Sequence, residues 1–84
     1  MNSTLIEQVR ELLAAYVDVA PEAFQMDADL DLAYDMDSTE MTEFAKKIEQ
    51  RFGVQATRSQ RSDWRTGHHV CQFLGDHLVV LRAA

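Results

Sequence analysis

The stretch YDMDSTEM, residues 34–41, places a serine, Ser38, at the predicted start of an amphipathic helix. Asp37 is a favourable N-cap residue, and Glu40 three positions later completes a predicted capping box. A hydroxyl at this position lies beside free backbone N–H groups and the positive end of the helix dipole. An attached phosphate would be stabilised there, so we predict that Ser38 is modified rather than catalytic.

The helix that follows Ser38 has clear signals along its length and at its end. Gly53 is a typical residue for the C-terminus of a helix, which predicts a helix over residues 38–52. Apolar residues recur within it at helical spacing and form the predicted buried stripe: Met41, Phe44, Ala45, Ile48 and Phe52.

The residues before this helix predict another helix and a long loop. The first helix starts near Ser3 or Thr4, where Thr4 and Glu7 form a capping box, and fades over residues 17–20 before Pro21. Residues 20–37 form an acidic loop, which we expect three apolar residues to hold against the core: Phe24, Leu30 and Leu32.

The residues after Gly53 predict a polar segment and a last helix. Residues 54–65 are polar, with Val54 and Trp64 as predicted anchors and a short, weak helical turn between them. Thr66 is the predicted N-cap of the last helix, whose inward residues are Val70, Phe73, Leu74, Leu78 and Leu81. We predict one all-α domain over residues 1–84, a small bundle of three to four helices with a long loop between the first two major helices.

Charge is unevenly distributed along the 84 residues, whose net charge is −6. Residues 1–49 carry a net charge of −9, and residues 50–84 carry +3. The acidic first part argues against a nucleic-acid partner and favours partners with basic surfaces. The alternative is that these acidic residues only keep the protein soluble.

The single cysteine, Cys71, excludes an internal disulfide and fits a reducing compartment. The first residues do not form a signal peptide, and no apolar run reaches membrane-spanning length. We therefore expect a soluble, cytoplasmic monomer.

The order of these features resembles the acyl carrier proteins and related peptidyl carrier domains over nearly the whole chain. That family shows Asp-Leu-Gly-x-Asp-Ser-Leu around its modified serine, then an acidic helix that ends in Phe-Gly-Ile or Phe-Gly-Val. The matching residues here are Asp37, Ser38, Glu43, Phe44, Ile48, Phe52, Gly53 and Val54.

The resemblance implies a non-catalytic carrier. Ser38 would receive a 4′-phosphopantetheine arm from coenzyme A, and the thiol of the arm would carry acyl groups as thioesters. Asp37 would help to bind the metal ion of the phosphopantetheinyl transferase. Acyl-loading and acyl-processing enzymes with basic docking surfaces would be the other partners, contacted by Thr39, Glu40, Met41 and Glu43.

Several residues depart from the family pattern. Tyr34 replaces leucine, Asp35 replaces glycine, and Thr39 replaces the leucine after the serine, while Lys46 and Lys47 are basic in a usually acidic helix. These differences indicate a specialised, free-standing carrier of fatty-acid, polyketide or related biosynthesis. An aminoacyl or peptidyl carrier and an unmodified helical interaction module remain alternatives.

Other site types fit the sequence less well. The aspartates at 27, 29, 31, 35 and 37 begin like an EF-hand, but Leu32 and Ser38 occupy the positions of its glycine and its bidentate glutamate. His68, His69 and Cys71 lack a second ligand pair for zinc. No Gly-x-Ser-x-Gly motif supports a hydrolase. We therefore predict no metal site and no catalytic residue.

Overall fold

The computed structural model describes the backbone of residues 3–83 and the side chains of residues 4–77. Within residues 3–83 the chain is helical without a strand, which confirms the prediction of a small all-α bundle. Its elements are α1 (Ser3–Val17), a 3-10 turn (Pro21–Ala23), α2 (Leu30–Tyr34), α3 (Ser38–Phe52), α4 (Arg58–Ser62) and α5 (Gly67–Ala83).

Helix α3 has the predicted bounds, and its two ends show why. The Asp37 side chain accepts a hydrogen bond from the Glu40 backbone N–H at 3.0 Å. Gly53 adopts the left-handed conformation (φ 66°, ψ 33°), and its N–H donates to the Glu49 carbonyl at 2.9 Å. The predicted capping box is only half formed, because the Asp37 N–H donates to the Asp35 carbonyl at 3.1 Å.

The long connection is more ordered than predicted, because it contains α2. The Asp29 carboxylate caps this helix by accepting from the N–H groups of Asp31 and Leu32, both at 3.0 Å. Asp35 ends the helix in the left-handed conformation (φ 56°), which aspartate tolerates better than most residues. The prediction that Leu32 packs on the core is wrong, since this side chain is 87% exposed.

The connection is nevertheless fastened to the rest of the bundle. Phe24 and Leu30 are buried as predicted, and Phe24 stacks on the Tyr34 ring with centroids 4.5 Å apart. The Leu30 N–H donates to the Arg65 carbonyl at 2.8 Å, so α2 is joined directly to the segment before α5. Met26 and Met36, which we did not predict as core residues, are also buried.

The core lies between the long helices. Its fully buried large side chains are Phe44, Leu13, Leu30, Met36, Ile48, Leu74, Val9, Val70 and Cys71. Val54 and Trp64 are buried anchors, and Phe73 is half-buried, so these predictions are confirmed. Leu78 and Leu81 lie outside the described side chains.

The starts of α1 and α5 differ in how well they follow the sequence pattern. Thr66 caps α5 as predicted, since its hydroxyl accepts from the His69 N–H at 3.3 Å. Helix α1 begins at Ser3, so Thr4 is its second residue and not its cap. The last residue of α1 is Val17, and the following Asp18 turns the chain with φ 62°.

Candidate functional site

Ser38 is exposed and is the first residue of α3. The first N–H groups of a helix have no intrahelical acceptor, so those of Ser38 and Thr39 point away from the helix body beside the Ser38 hydroxyl. The Asp37 carboxylate fixes the helix start, and the Ser38 carbonyl accepts from the Thr42 hydroxyl at 2.9 Å. A rigid helix end thus presents a free hydroxyl to solvent.

A groove of about 840 Å³ lies beside this hydroxyl, between α2, the start of α3 and α4. We call it the Ser38 groove, and its volume lies in the range of small-molecule sites. It is lined by Asp29, Leu30, Asp31, Leu32, Met36, Asp37, Ser38, Thr39, Met41, Thr42, Arg58, Arg61, Ser62, Trp64 and Arg65.

The Ser38 groove combines buried apolar residues with charged residues. Leu30, Met36 and Trp64 form its buried floor, each at most 4% exposed. Leu32 adds an exposed apolar side chain. The groove therefore places the accessible apolar side chain of Leu32 on the same surface as the Ser38 hydroxyl.

The structure divides the residues predicted to contact partners into two groups. Thr39 and the half-buried Met41 line the Ser38 groove together with Asp37 and Ser38, whereas Glu40 and Glu43 do not. Glu43 is exposed on α3 and accepts a hydrogen bond from the Tyr16 hydroxyl at 3.0 Å. Burial and this hydrogen bond to Glu43 raise the pKa of Tyr16 to about 12.

Sequence reasoning missed the basic side of the groove, formed by Arg58, Arg61 and Arg65. Three of the eight basic residues of the chain line this one groove. Arg58 and Arg61 lie three residues apart on α4, whereas Arg65 follows the end of that helix, so no helix-face signal in the sequence groups all three. They became neighbours of Ser38 only through the packing of α4 near α3.

Residues considered for other sites have structural roles. Asp29 and Asp37 cap helices, and His68 Nε2 lies 2.8 Å from an Asp27 carboxylate oxygen. Cys71 is buried, which raises the pKa of its thiol to about 11 although Arg10 opposes the shift. In the part of the chain that the structure describes, no three His, Cys, Asp or Glu residues are grouped to hold a metal ion.

The core residues contributed by α3 and α5 lie apart from the Ser38 groove. Phe44, Ile48, Val70 and Leu74 are fully buried, and Phe73 packs edge-on against Trp64 with ring centroids 5.2 Å apart. None of them lines the Ser38 groove. Among the described helices, none has the length and apolarity to cross a bilayer.

Comparison with known proteins gives one family. The sequence model described as "Phosphopantetheine attachment site" matches residues 7–74, a segment that contains Ser38 and all residues of the Ser38 groove. No curated protein shows significant similarity to the chain. Proteins of the matched family are non-catalytic carriers with covalently attached 4′-phosphopantetheine; phosphopantetheinyl transferases modify them, and they interact with partner enzymes. The match extends over well more than half of the 84 residues, and the chain belongs to this family of phosphopantetheine-carrying domains.

Proposed function

We propose that this protein is an acyl carrier protein that holds acyl intermediates on a 4′-phosphopantetheine arm attached to Ser38. The observation that carries the proposal is the position of Ser38, exposed at the first residue of α3 and on the Ser38 groove. The whole of residues 1–84 would act as one monomeric carrier domain in fatty-acid, polyketide or related biosynthesis.

The residues at the start of α3 fit the covalent attachment. The Ser38 Oγ loses its proton and forms a phosphodiester with the phosphopantetheine phosphate, while the diphosphate bond of coenzyme A breaks and adenosine bisphosphate leaves. The resulting phosphate anion lies at the N-terminal end of a helix of 15 residues, where the dipole and free N–H groups favour it. When bound, the arm supplies a thiol that carries acyl groups as thioesters.

The neighbouring residues would have separate tasks. Asp37 holds the helix start through its bond to the Glu40 N–H and presents a second carboxylate oxygen, which would help to bind the metal ion of the transferase. Thr39 and Met41 would contact partners beside the arm. Glu40 and Glu43 would face basic partner surfaces, with Glu43 oriented by the Tyr16 hydroxyl.

Incubation with coenzyme A, magnesium and a broad-specificity phosphopantetheinyl transferase tests the proposal. Intact mass should rise by one phosphopantetheine arm, and Ser38→Ala should abolish the rise. Ser62→Ala is the matched control, because Ser62 is another exposed serine on the same groove. A modified Ser38→Ala protein with an unchanged circular dichroism spectrum would contradict the assignment.

The cargo distinguishes an acyl carrier from an aminoacyl or peptidyl carrier. Mass spectrometry of the protein from its native source reads both the arm and the group attached to it. An acyl thioester supports the proposal, and an aminoacyl thioester assigns the peptide-type carrier. A native protein without any arm would instead indicate an unmodified interaction module.

A further inference from the structure

Helices α4 and α5 begin with the same kind of capping box, a threonine followed three residues later by an acceptor side chain. At α4 the Thr57 hydroxyl accepts from the Gln60 N–H at 3.1 Å, and the Gln60 side-chain oxygen accepts from the Thr57 N–H at 2.8 Å. At α5 the Thr66 hydroxyl accepts from the His69 N–H, and His69 Nδ1 accepts from the Thr66 N–H, both at 3.3 Å. The α5 capping box therefore uses histidine where such boxes usually have glutamate or glutamine.

The His69 ring also holds a second backbone group. Its Nδ1 accepts from the Arg65 N–H at 3.3 Å, in addition to the bond from Thr66. An imidazole nitrogen accepts a hydrogen bond only when it carries no proton, so this arrangement requires the neutral ring with its proton on Nε2. Protonation of Nδ1 converts the acceptor into a donor that faces two N–H groups, and both bonds are then lost.

The backbone that His69 holds is joined to α2. The Arg65 carbonyl accepts from the Leu30 N–H at 2.8 Å, while the Arg65 N–H donates to His69. Arg65 is thus bonded to α2 through its carbonyl and to the α5 capping box through its N–H. Release of the Arg65 N–H by His69 removes one of the two bonds that fix this residue, which weakens the link between α2 and the start of α5.

A neighbouring histidine responds to pH in the opposite direction, but weakly. His68 Nε2 lies 2.8 Å from an Asp27 carboxylate oxygen on the long connection. Protonation of His68 strengthens this pair and so opposes the loss of bonds at His69. The Asp27 side chain is 91% exposed, however, and exposed ion pairs contribute little to stability. The response of His69 therefore determines the sign of the net effect.

The other charged groups near the α5 capping box belong to the segments on either side of the Leu30 bond. They are Asp63 and Arg65 before α5, and Asp29 before Leu30. Aspartate and arginine side chains ordinarily keep their charge between pH 5 and pH 8. Helix α1 presents an apolar residue at this point, since Leu13 lies against Gly67.

We infer that the α5 capping box is a pH-sensitive switch that controls the link between Leu30 and Arg65. Histidine is the side chain that ordinarily changes its charge between pH 5 and pH 8. The bonds to His69 Nδ1 are therefore complete near pH 8 and are lost as the pH falls to 5. Because Leu30 and Arg65 both line the Ser38 groove, acidification loosens two of its sides from each other.

Amide exchange followed by NMR on the unmodified full chain tests the inference. The measured quantity is the protection factor of the Leu30 amide, which compares its exchange rate with that of an unstructured peptide at the same pH. Between pH 8 and pH 5 we expect this factor to fall by about fivefold, which corresponds to the loss of one helix cap. The amide proton signals of Arg65 and Thr66 should move over the same range as they lose their acceptor.

The chain offers a matched control of identical composition. His69→Gln combined with Gln60→His exchanges the acceptors of the two capping boxes, so the imidazole moves to α4 and glutamine completes the box at α5. The Leu30 protection factor should then be the same at pH 8 and pH 5. The amide signal of Thr57, which is bonded to the imidazole in this variant, should become pH-dependent instead.

Three results would overturn the inference. One is a Leu30 protection factor that falls equally in the parent protein and in the exchanged variant. Another is a nitrogen-15 spectrum of the parent at pH 8 that places the His69 proton on Nδ1. The third is loss of the pH response in His68→Gln, which would assign the response to the pair with Asp27. Each measurement is made without the arm, so none of these results bears on the attachment at Ser38.

Discussion

The bond from the Asp37 carboxylate to the Glu40 N–H can be tested by separating its hydrogen-bonding role from its charge. Asp37→Ala removes both, and we expect it to lower the free energy of unfolding by about 1.5 kcal/mol. Asp37→Asn keeps an acceptor oxygen and loses only the charge near the helix N-terminus, which costs about 0.5 kcal/mol. In a domain of this size, the alanine change lowers Tm by about 6–12 °C.

Urea unfolding followed by far-ultraviolet circular dichroism measures both variants. Asp76→Ala and Asp76→Asn are matched controls, because the Asp76 side chain is exposed on α5 and forms no hydrogen bond or ion pair with the described part of the chain. Both controls should stay within about 0.5 kcal/mol of the parent protein. An Asp37→Ala protein as stable as Asp76→Ala would refute the capping argument. Equal losses for Asp37→Asn and Asp37→Ala would show that charge alone matters.

The same two variants examine the proposed contact with the transferase. Asp37→Asn remains folded and keeps the position of Ser38, so a slower attachment of the arm would reflect the lost carboxylate charge. Attachment rates are measured by intact mass at saturating coenzyme A. The assay contains no urea, so both variants are folded. An unchanged rate for Asp37→Asn would contradict a metal-binding role for Asp37.

Further predictions concern conformation and pH. Gly75→Ala should stabilise the protein by about 1 kcal/mol, since its added Cβ meets no atom within 4 Å. Gly53→Ala should destabilise it by about 1 kcal/mol, because the φ angle of Gly53 is +66°. Urea midpoints that move in the same direction for both variants would contradict this contrast. Burial raises the pKa of Cys71 from 9.0 to about 11. The folded state therefore favours the protonated thiol, and the contribution of Cys71 to the free energy of unfolding is complete below pH 9 and is lost as the pH rises through 11. Cys71→Ala should make the urea midpoint less dependent on pH between pH 9 and 11. Rapid labelling of native Cys71 by a thiol reagent at pH 8 would contradict its burial. The raised pKa of Tyr16 also lowers the free energy of unfolding as the pH rises, here from pH 10 to about 12. Tyr16→Phe should remove the loss of stability that Tyr16 causes in this range. An unchanged dependence of the urea midpoint on pH in this variant would refute the prediction.

The features that the sequence predicted well are those with local causes. Helix α3 was bounded correctly because an aspartate caps its start and a left-handed glycine ends it, and both effects act within one turn. Residues 20–37 lack such periodicity, so Leu32 could not be separated from Leu30 by pattern alone. The order of that segment depends on contacts across the bundle, including the Phe24 ring on Tyr34.

The candidate site was predictable in part for the same reason. Ser38 and Asp37 are neighbours in sequence, and their position at a helix start follows from the helix itself. The arginines lie at least 20 residues further along, and only tertiary packing brings them to the same groove. Glu43 lies five residues after Ser38 but faces Tyr16 of α1, which the pattern of α3 alone could not show.

The backbone bond from the Leu30 N–H to the Arg65 carbonyl couples two sides of the Ser38 groove at 2.8 Å. Any widening of the groove between α2 and the Arg65 segment has to break this bond, which exposes the amide proton to solvent. Deuterium uptake at this one amide therefore reports the free energy that widening costs. A cargo too bulky to leave without widening can dissociate only while this bond is open, so stronger protection of the amide implies slower release.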